Sequence, residues 1–62
     1  MERQYTAYAD NGRDYIGFEF YSEHRANSKA NFEDAVRHYK NKHGRNMKIK
    51  IIRTTYNKEP ML

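Results

Sequence analysis

Apolar and polar residues alternate through QYTAYADNGRDYIGFEFY, residues 4–21, and two such runs flank Asn11-Gly12. A period of two predicts a pair of strands with one buried face each. Asn-Gly suits a type I′ turn, in which both central residues take positive φ. The pattern therefore predicts a two-residue hairpin in which Asp10 faces Arg13, Tyr8 faces Tyr15, Ala7 faces Ile16 and Tyr5 faces Phe18. One face then collects Tyr5, Ala7, Ala9, Ile16, Phe18 and Phe20. The other collects Thr6, Tyr8, Tyr15, Gly17, Glu19 and Tyr21. A slip of one residue would destroy this sorting.

The polar stretch SEHRAN ends the hairpin, and the period then changes. Phe32, Ala35, Val36 and Tyr39 fall at i, i+3, i+4 and i+7, the apolar stripe of a helix. Ser28 is the natural N-cap, with Asn31 a later candidate. Glu33 and Asp34 sit near the positive end of the helix dipole. They also precede Arg37 and His38 by four residues, the favoured orientation for a pair. Lys40, Lys42 and His43 suit the last turn, and Gly44 suits the residue that ends it. NMKIKIIRTTY returns to period two, with Met47, Ile49 and Ile51 on one side and Lys48, Lys50 and Ile52 on the other. Residues 57–62 have no periodicity and hold the single proline, so a flexible tail is expected after a single domain spanning 1–56.

The expected fold class is α+β. In the order β-β-α-β, a three-stranded, mainly antiparallel sheet carries one helix on one face. The helix reverses the chain, so the last strand runs parallel to the second. It lies beside the second, or beside the first with every neighbour antiparallel; the order 2-1-3 is favoured. The core side takes Ile16, Phe18, Phe20, Met47, Ile49 and Ile51 against Phe32, Val36 and Tyr39. One helix covers one side only, so Tyr8, Tyr15, Tyr21 and Ile52 are left on the other, with Gly17 among them. That face is an expected partner or oligomer surface. Sixty-two residues bury only ~60% of their unfolded surface. With no cysteine for disulfides, self-association is the expected support, and a homodimer the simplest form of it.

The net charge of +4 is unevenly spread. Residues 1–36 hold four basic and seven acidic side chains, a balance of −3. Residues 37–62 hold eight and one, a balance of +7. Arg37, Lys40, Lys42, Arg45, Lys48 and Lys50 are therefore candidate phosphate contacts, and the sheet tyrosines candidate platforms for single-stranded bases. The RNP1 pattern of an RNA-recognition motif is missing, so such binding would be nonspecific. Catalysis is not expected. Glu33 and Asp34 diverge by ~100° on a helix and cannot act as an acid–base pair. His38 and His43 are five apart, off the i, i+4 spacing of metal ligands, so neither a metal nor another cofactor is expected. No run approaches the ~20 apolar residues of a membrane helix, and no secretion signal is visible. A soluble cytoplasmic protein with no membrane partner is expected.

Gly12, Arg13 and Tyr15 at the hairpin, Ser28, Phe32 and Glu33 at the helix start, and Ile49 and Ile51 in the last strand together resemble the small uracil-DNA glycosylase inhibitors of Bacillus phages. The likeness covers most of the chain as a pattern, with few identities. It implies a homodimer that presents an apolar pocket and flanking acids to a host DNA-repair enzyme. The pocket grips the side chain that the glycosylase pushes into DNA. Carried over to this chain, Phe32 lines the pocket or the dimer seam, Glu33 and Asp34 engage the enzyme, and Tyr39 supports the pocket. A blocker of a DNA site is expected to be acidic, so the resemblance requires the acidic half to face the enzyme and the basic half to face away. The alternative functions are a basic single-stranded nucleic-acid-binding protein, or another phage effector acting on a host nucleic-acid-processing or defence protein.

Overall fold

The alternating runs form two antiparallel strands, β1 (Arg3–Asp10) and β2 (Tyr15–Ser22). Helix α1 (Lys29–His43) and strand β3 (Lys50–Tyr56) follow. The structure is a computed structural model that describes residues 1–57. The sheet order is β2-β1-β3 with both neighbours antiparallel, and α1 packs on one face, so the fold is α+β. Asn57 donates its N–H to the Gln4 carbonyl and continues the β1–β3 ladder. The rest of the expected tail, 58–62, lies outside the described residues. Among those described, no helix is long and apolar enough to cross a membrane.

The hairpin register differs from the two-residue expectation. Asp10 pairs with Tyr15, Ala9 with Ile16, Tyr8 with Gly17, Ala7 with Phe18 and Tyr5 with Phe20, leaving a four-residue loop. The cause lies in the loop side chains. Asn11 Oδ1 accepts from the N–H groups of both Arg13 and Asp14 at 2.9 Å, and Asp10 Oδ1 accepts from Gly12 at 2.7 Å. These bonds satisfy three loop amides, and only Gly12 needs a positive φ (+91°) there. A shift of two residues leaves each side chain on its expected face, because the strand period is two.

Tyr5, Ala7, Ala9, Phe20, Ala35 and Ile51 form the buried core, with Ile16, Phe18, Phe32, Val36 and Ile49 packed partly against it. Tyr5 is the hub. Its ring lies 5.7 Å from Phe20, stacked, and 5.7 Å from Tyr56, edge-on. Met47 does not join the core. The turn after α1 reaches Met47, whose N–H bonds the Gly44 carbonyl, so β3 begins only at Lys50 and Met47 stays exposed.

The strand also changes phase. Tyr8 pairs with Arg53 while Ala9 pairs with Ile51, so Ile52 is the extra residue of a β-bulge. Beyond it the inward positions are Thr54 and Tyr56, opposite Ala7 and Tyr5. Strict alternation from Ile51 would have turned Arg53 and Thr55 inward.

Ser28 caps the helix. It is extended at φ −83°, ψ 157°, and its side chain accepts from the Asn31 N–H at 3.2 Å. Gly44 closes the other end at φ +113°, its N–H on the Lys40 carbonyl at 2.8 Å. The first turn holds no acid. Glu33 and Asp34 lie a turn further in, beyond the reach of the dipole. Arg37 pairs with Asp34, three residues back, and not with Glu33. His38 stacks flat on Phe18, 6.0 Å between centroids, and does not pair with Asp34.

The fully buried helix stripe is Asn31, Ala35 and Tyr39, which places Phe32 and Val36 on its flank. Asn31 is fully buried and hydrogen-bonded twice: Oδ1 accepts from Thr54 Oγ1 at 2.6 Å, and Nδ2 donates to the His24 carbonyl at 2.9 Å. Thr54 and Asn27 close the network, each accepting the other's backbone N–H at 2.8 Å through its side-chain oxygen. Asn27 reaches this geometry with φ +63°, a conformation that Asn tolerates. The helix start, the loop before it and β3 are thereby joined at one point.

Candidate functional site

Because Asn31 and Ala35 point into the core, Phe32 and Val36 lie on the flank toward β3, partly buried beside Ile51. The result is a groove of about 780 Å³ floored by these three apolar side chains. Its rim is mostly cationic. Lys29, Arg37, Lys40 and Arg45 surround the floor, and Glu33 is the one acid among them. Arg37 is exposed and paired with Asp34, its neighbour one turn back on the helix surface. An apolar floor inside a charged rim is the composition of a binding groove, since desolvating the floor gives affinity and the rim selects charge.

The expected partner-contact residues separate. Phe32 and Glu33 line the groove. Asp34 turns toward β2, where it accepts from Ser22 Oγ at 2.6 Å and pairs with Arg37. Tyr39 is a core residue, 5.4 Å from Phe18 and 4.5 Å from His43 between ring centroids. Adjacent positions on a helix diverge by ~100°, which is why Glu33 and Asp34 do not form one acidic patch.

The expected basic contacts also divide. Arg37, Lys40 and Arg45 share the groove rim; Lys48 and Lys50 border a smaller hollow beside Asp10, Asn11 and Gly12 at the hairpin tip; Lys42 is exposed and lines neither. On the open side of the sheet, Tyr15 and Tyr21 are 69% and 59% exposed, and Ile52 is exposed at the bulge. Tyr8 is half-buried beneath Arg53, whose guanidinium lies 4.4 Å from the ring centroid. Arg53 thus covers the central tyrosine and leaves the outer two free. Among the described residues no cluster of His, Asp or Glu has the geometry to hold a metal ion.

Sequence patterning missed Lys29, Val36 and Ile51 as site residues. Val36 and Ile51 were legible only as apolar, because a groove depends on how two apolar stripes are set against each other and neither stripe records that alone. No family model, curated protein or solved structure matches this chain. The likeness to the glycosylase inhibitors therefore rests on the residues named for it above.

Proposed function

We propose that this protein acts by binding, not by catalysis: it takes an apolar side chain of a protein partner into the groove between α1 and β3, and so inhibits that partner. The observation that carries this is the apolar floor of the groove, partly exposed at Phe32 and Val36 with Ile51 buried beside them, within a charged rim. A small chain leaves such a floor uncovered at a cost in stability, and a partner's apolar anchor recovers it. A host uracil-DNA glycosylase, met in the host cytoplasm, is the partner that the resemblance names, and Phe32, Glu33 and Ile51 are the residues of that resemblance on the groove. The four cations require acids around the partner's anchor, or contact with a basic enzyme through the Glu33 end. Stoichiometric addition to a glycosylase assay should abolish uracil excision, and Val36→Asp should restore it. Undiminished excision at a large molar excess removes the glycosylase as partner.

A second reading has its own support, the placing of Lys29, Arg37, Lys40 and Arg45 around one groove. These cations suit the phosphates of single-stranded nucleic acid. A mobility shift on single-stranded DNA or RNA should then appear at low salt, fade as salt rises and weaken in Lys40→Glu. No shift at low salt eliminates this reading.

A further inference from the structure

The two edges of the sheet are built differently. β3 is interrupted by the bulge at Ile52 and carries Lys50 and Arg53, devices that keep an edge from pairing with another chain. β2 runs for eight residues paired regularly to β1, with no proline, lysine or arginine; Glu19 is its one charged residue. The direction of its free backbone groups follows from the ladder. Asn57 N–H bonds the Gln4 carbonyl at 2.9 Å, so Gln4, Thr6 and Tyr8 turn their main-chain groups toward β3. Tyr5, Ala7 and Ala9 then bond β2, opposite Phe20, Phe18 and Ile16. The N–H and C=O groups of Tyr15, Gly17, Glu19 and Tyr21 are left pointing off the edge. Ile16 and Phe18 are only partly buried on the helix side of this strand, and Tyr15 and Tyr21 are exposed on the other.

We infer that this edge pairs with β2 of a second copy of the chain, antiparallel and two-fold symmetric about Phe18, to give a continuous six-stranded sheet. Facing residues of an antiparallel pair share a face, which restricts the register to alternate positions. Centring on Phe18 sets Gly17 against Glu19 of the second copy and Tyr15 against Tyr21, so every outward group finds a partner. On the helix side Phe18 meets its own copy and Ile16 meets Phe20. Centring on Glu19 instead would oppose two carboxylates directly. Centring on Gly17 would run the pairing into the hairpin loop. Both helices lie on the same face of the joined sheet. Each packs against β2 and β3, across the central strand. At ~4.8 Å per strand the two central strands are ~14 Å apart, wider than the 8–10 Å at which helices pack, so the helices do not collide. The dimer does not depend on what the groove binds.

The test is sedimentation equilibrium on the full chain over a concentration series. The wild type should be a dimer. Tyr15→Lys/Tyr21→Lys sets like charges opposite each other twice and should give a monomer. Tyr15→Lys/Tyr21→Glu sets opposite charges in the same places and should restore the dimer. Both positions are exposed, so each variant should keep the wild-type circular dichroism. Amide exchange on the wild type reads the same edge without substitution: the Gly17 and Glu19 amides should exchange slowly. Any of four results overturns the inference: a monomeric wild type at its highest soluble concentration, a lysine pair that leaves the dimer intact, a charge-swapped pair as monomeric as the lysine pair, or fast exchange at Gly17 and Glu19.

Discussion

Helix α1 is sealed along one flank and open along the other. Toward β2, Asp34 accepts from Ser22, and His38 lies flat on Phe18. Two polar side chains there find partners that also exclude water. Toward β3, Phe32 and Val36 stay partly exposed beside Ile51 and line the groove. The same helix on the same sheet thus has a closed polar side and an open apolar side. The roll of the helix decides which is which. Asn31 is tied to Thr54 and the His24 carbonyl, and Ala35 packs without exposure against the small residues of β1. With those positions fixed inward, Phe32 and Val36 have only the flank to occupy. The groove is therefore a consequence of helix placement, not of missing apolar side chains.

Substitutions should separate the two flanks by the size of their effects on stability. Phe20→Ala should cost the most, about 3–5 kcal/mol in urea unfolding, because the ring is buried beneath both Tyr5 and Phe18. A loss no larger than that of a groove variant would erase the distinction. Thr54→Val should cost about 1–3 kcal/mol by stranding Asn31 and Asn27. If the helix roll depends on this network, the same variant should also alter the groove, seen as shifted methyl resonances of Val36 and Ile51; unmoved resonances would show that Ala35 alone sets the roll. Ser22→Ala should cost about 1.5 kcal/mol, since it removes a hydrogen bond to a carboxylate on the sealed flank. Faster exchange of the His24 amide should accompany it, because Ser22 Oγ accepts that N–H. Val36→Thr should stay within about 0.5 kcal/mol of wild type while lowering partner capture. A large stability loss there would mean that the groove floor is core.

Most of the fold was legible in the sequence, because its signals are local and periodic. Alternation marked both strands of the hairpin, Ser28 and Gly44 marked the helix ends, and the preference for antiparallel neighbours placed β3 beside β1. Three features were not legible, each for a different reason. The loop register turned on side-chain hydrogen bonds from Asp10 and Asn11, which compete with the turn that Asn-Gly prefers. The bulge at Ile52 leaves no mark in a run of apolar and basic residues, yet it reverses the phase of everything after it. Asn31 is polar, so an apolar-stripe count passes over it and centres the helix on Phe32 and Val36. That single residue explains why the candidate cluster Phe32, Glu33, Asp34 and Tyr39 came apart: two of its members lie on the groove, one on the sealed flank and one in the core.

The central place of β1 also sets a timetable for folding. β1 is made before the other elements, yet one of its two neighbours is β3, which follows both β2 and the helix. Until Thr54 has emerged, Asn31 lacks the hydroxyl that satisfies its buried oxygen, and Ala7 and Ala9 lack half of their cover. A hairpin with a helix on it is therefore an unfinished unit, and burying its polar centre without a partner costs about as much as it gains. The fold therefore stays open until β3 is available, and closes as Tyr56 comes to rest against Tyr5.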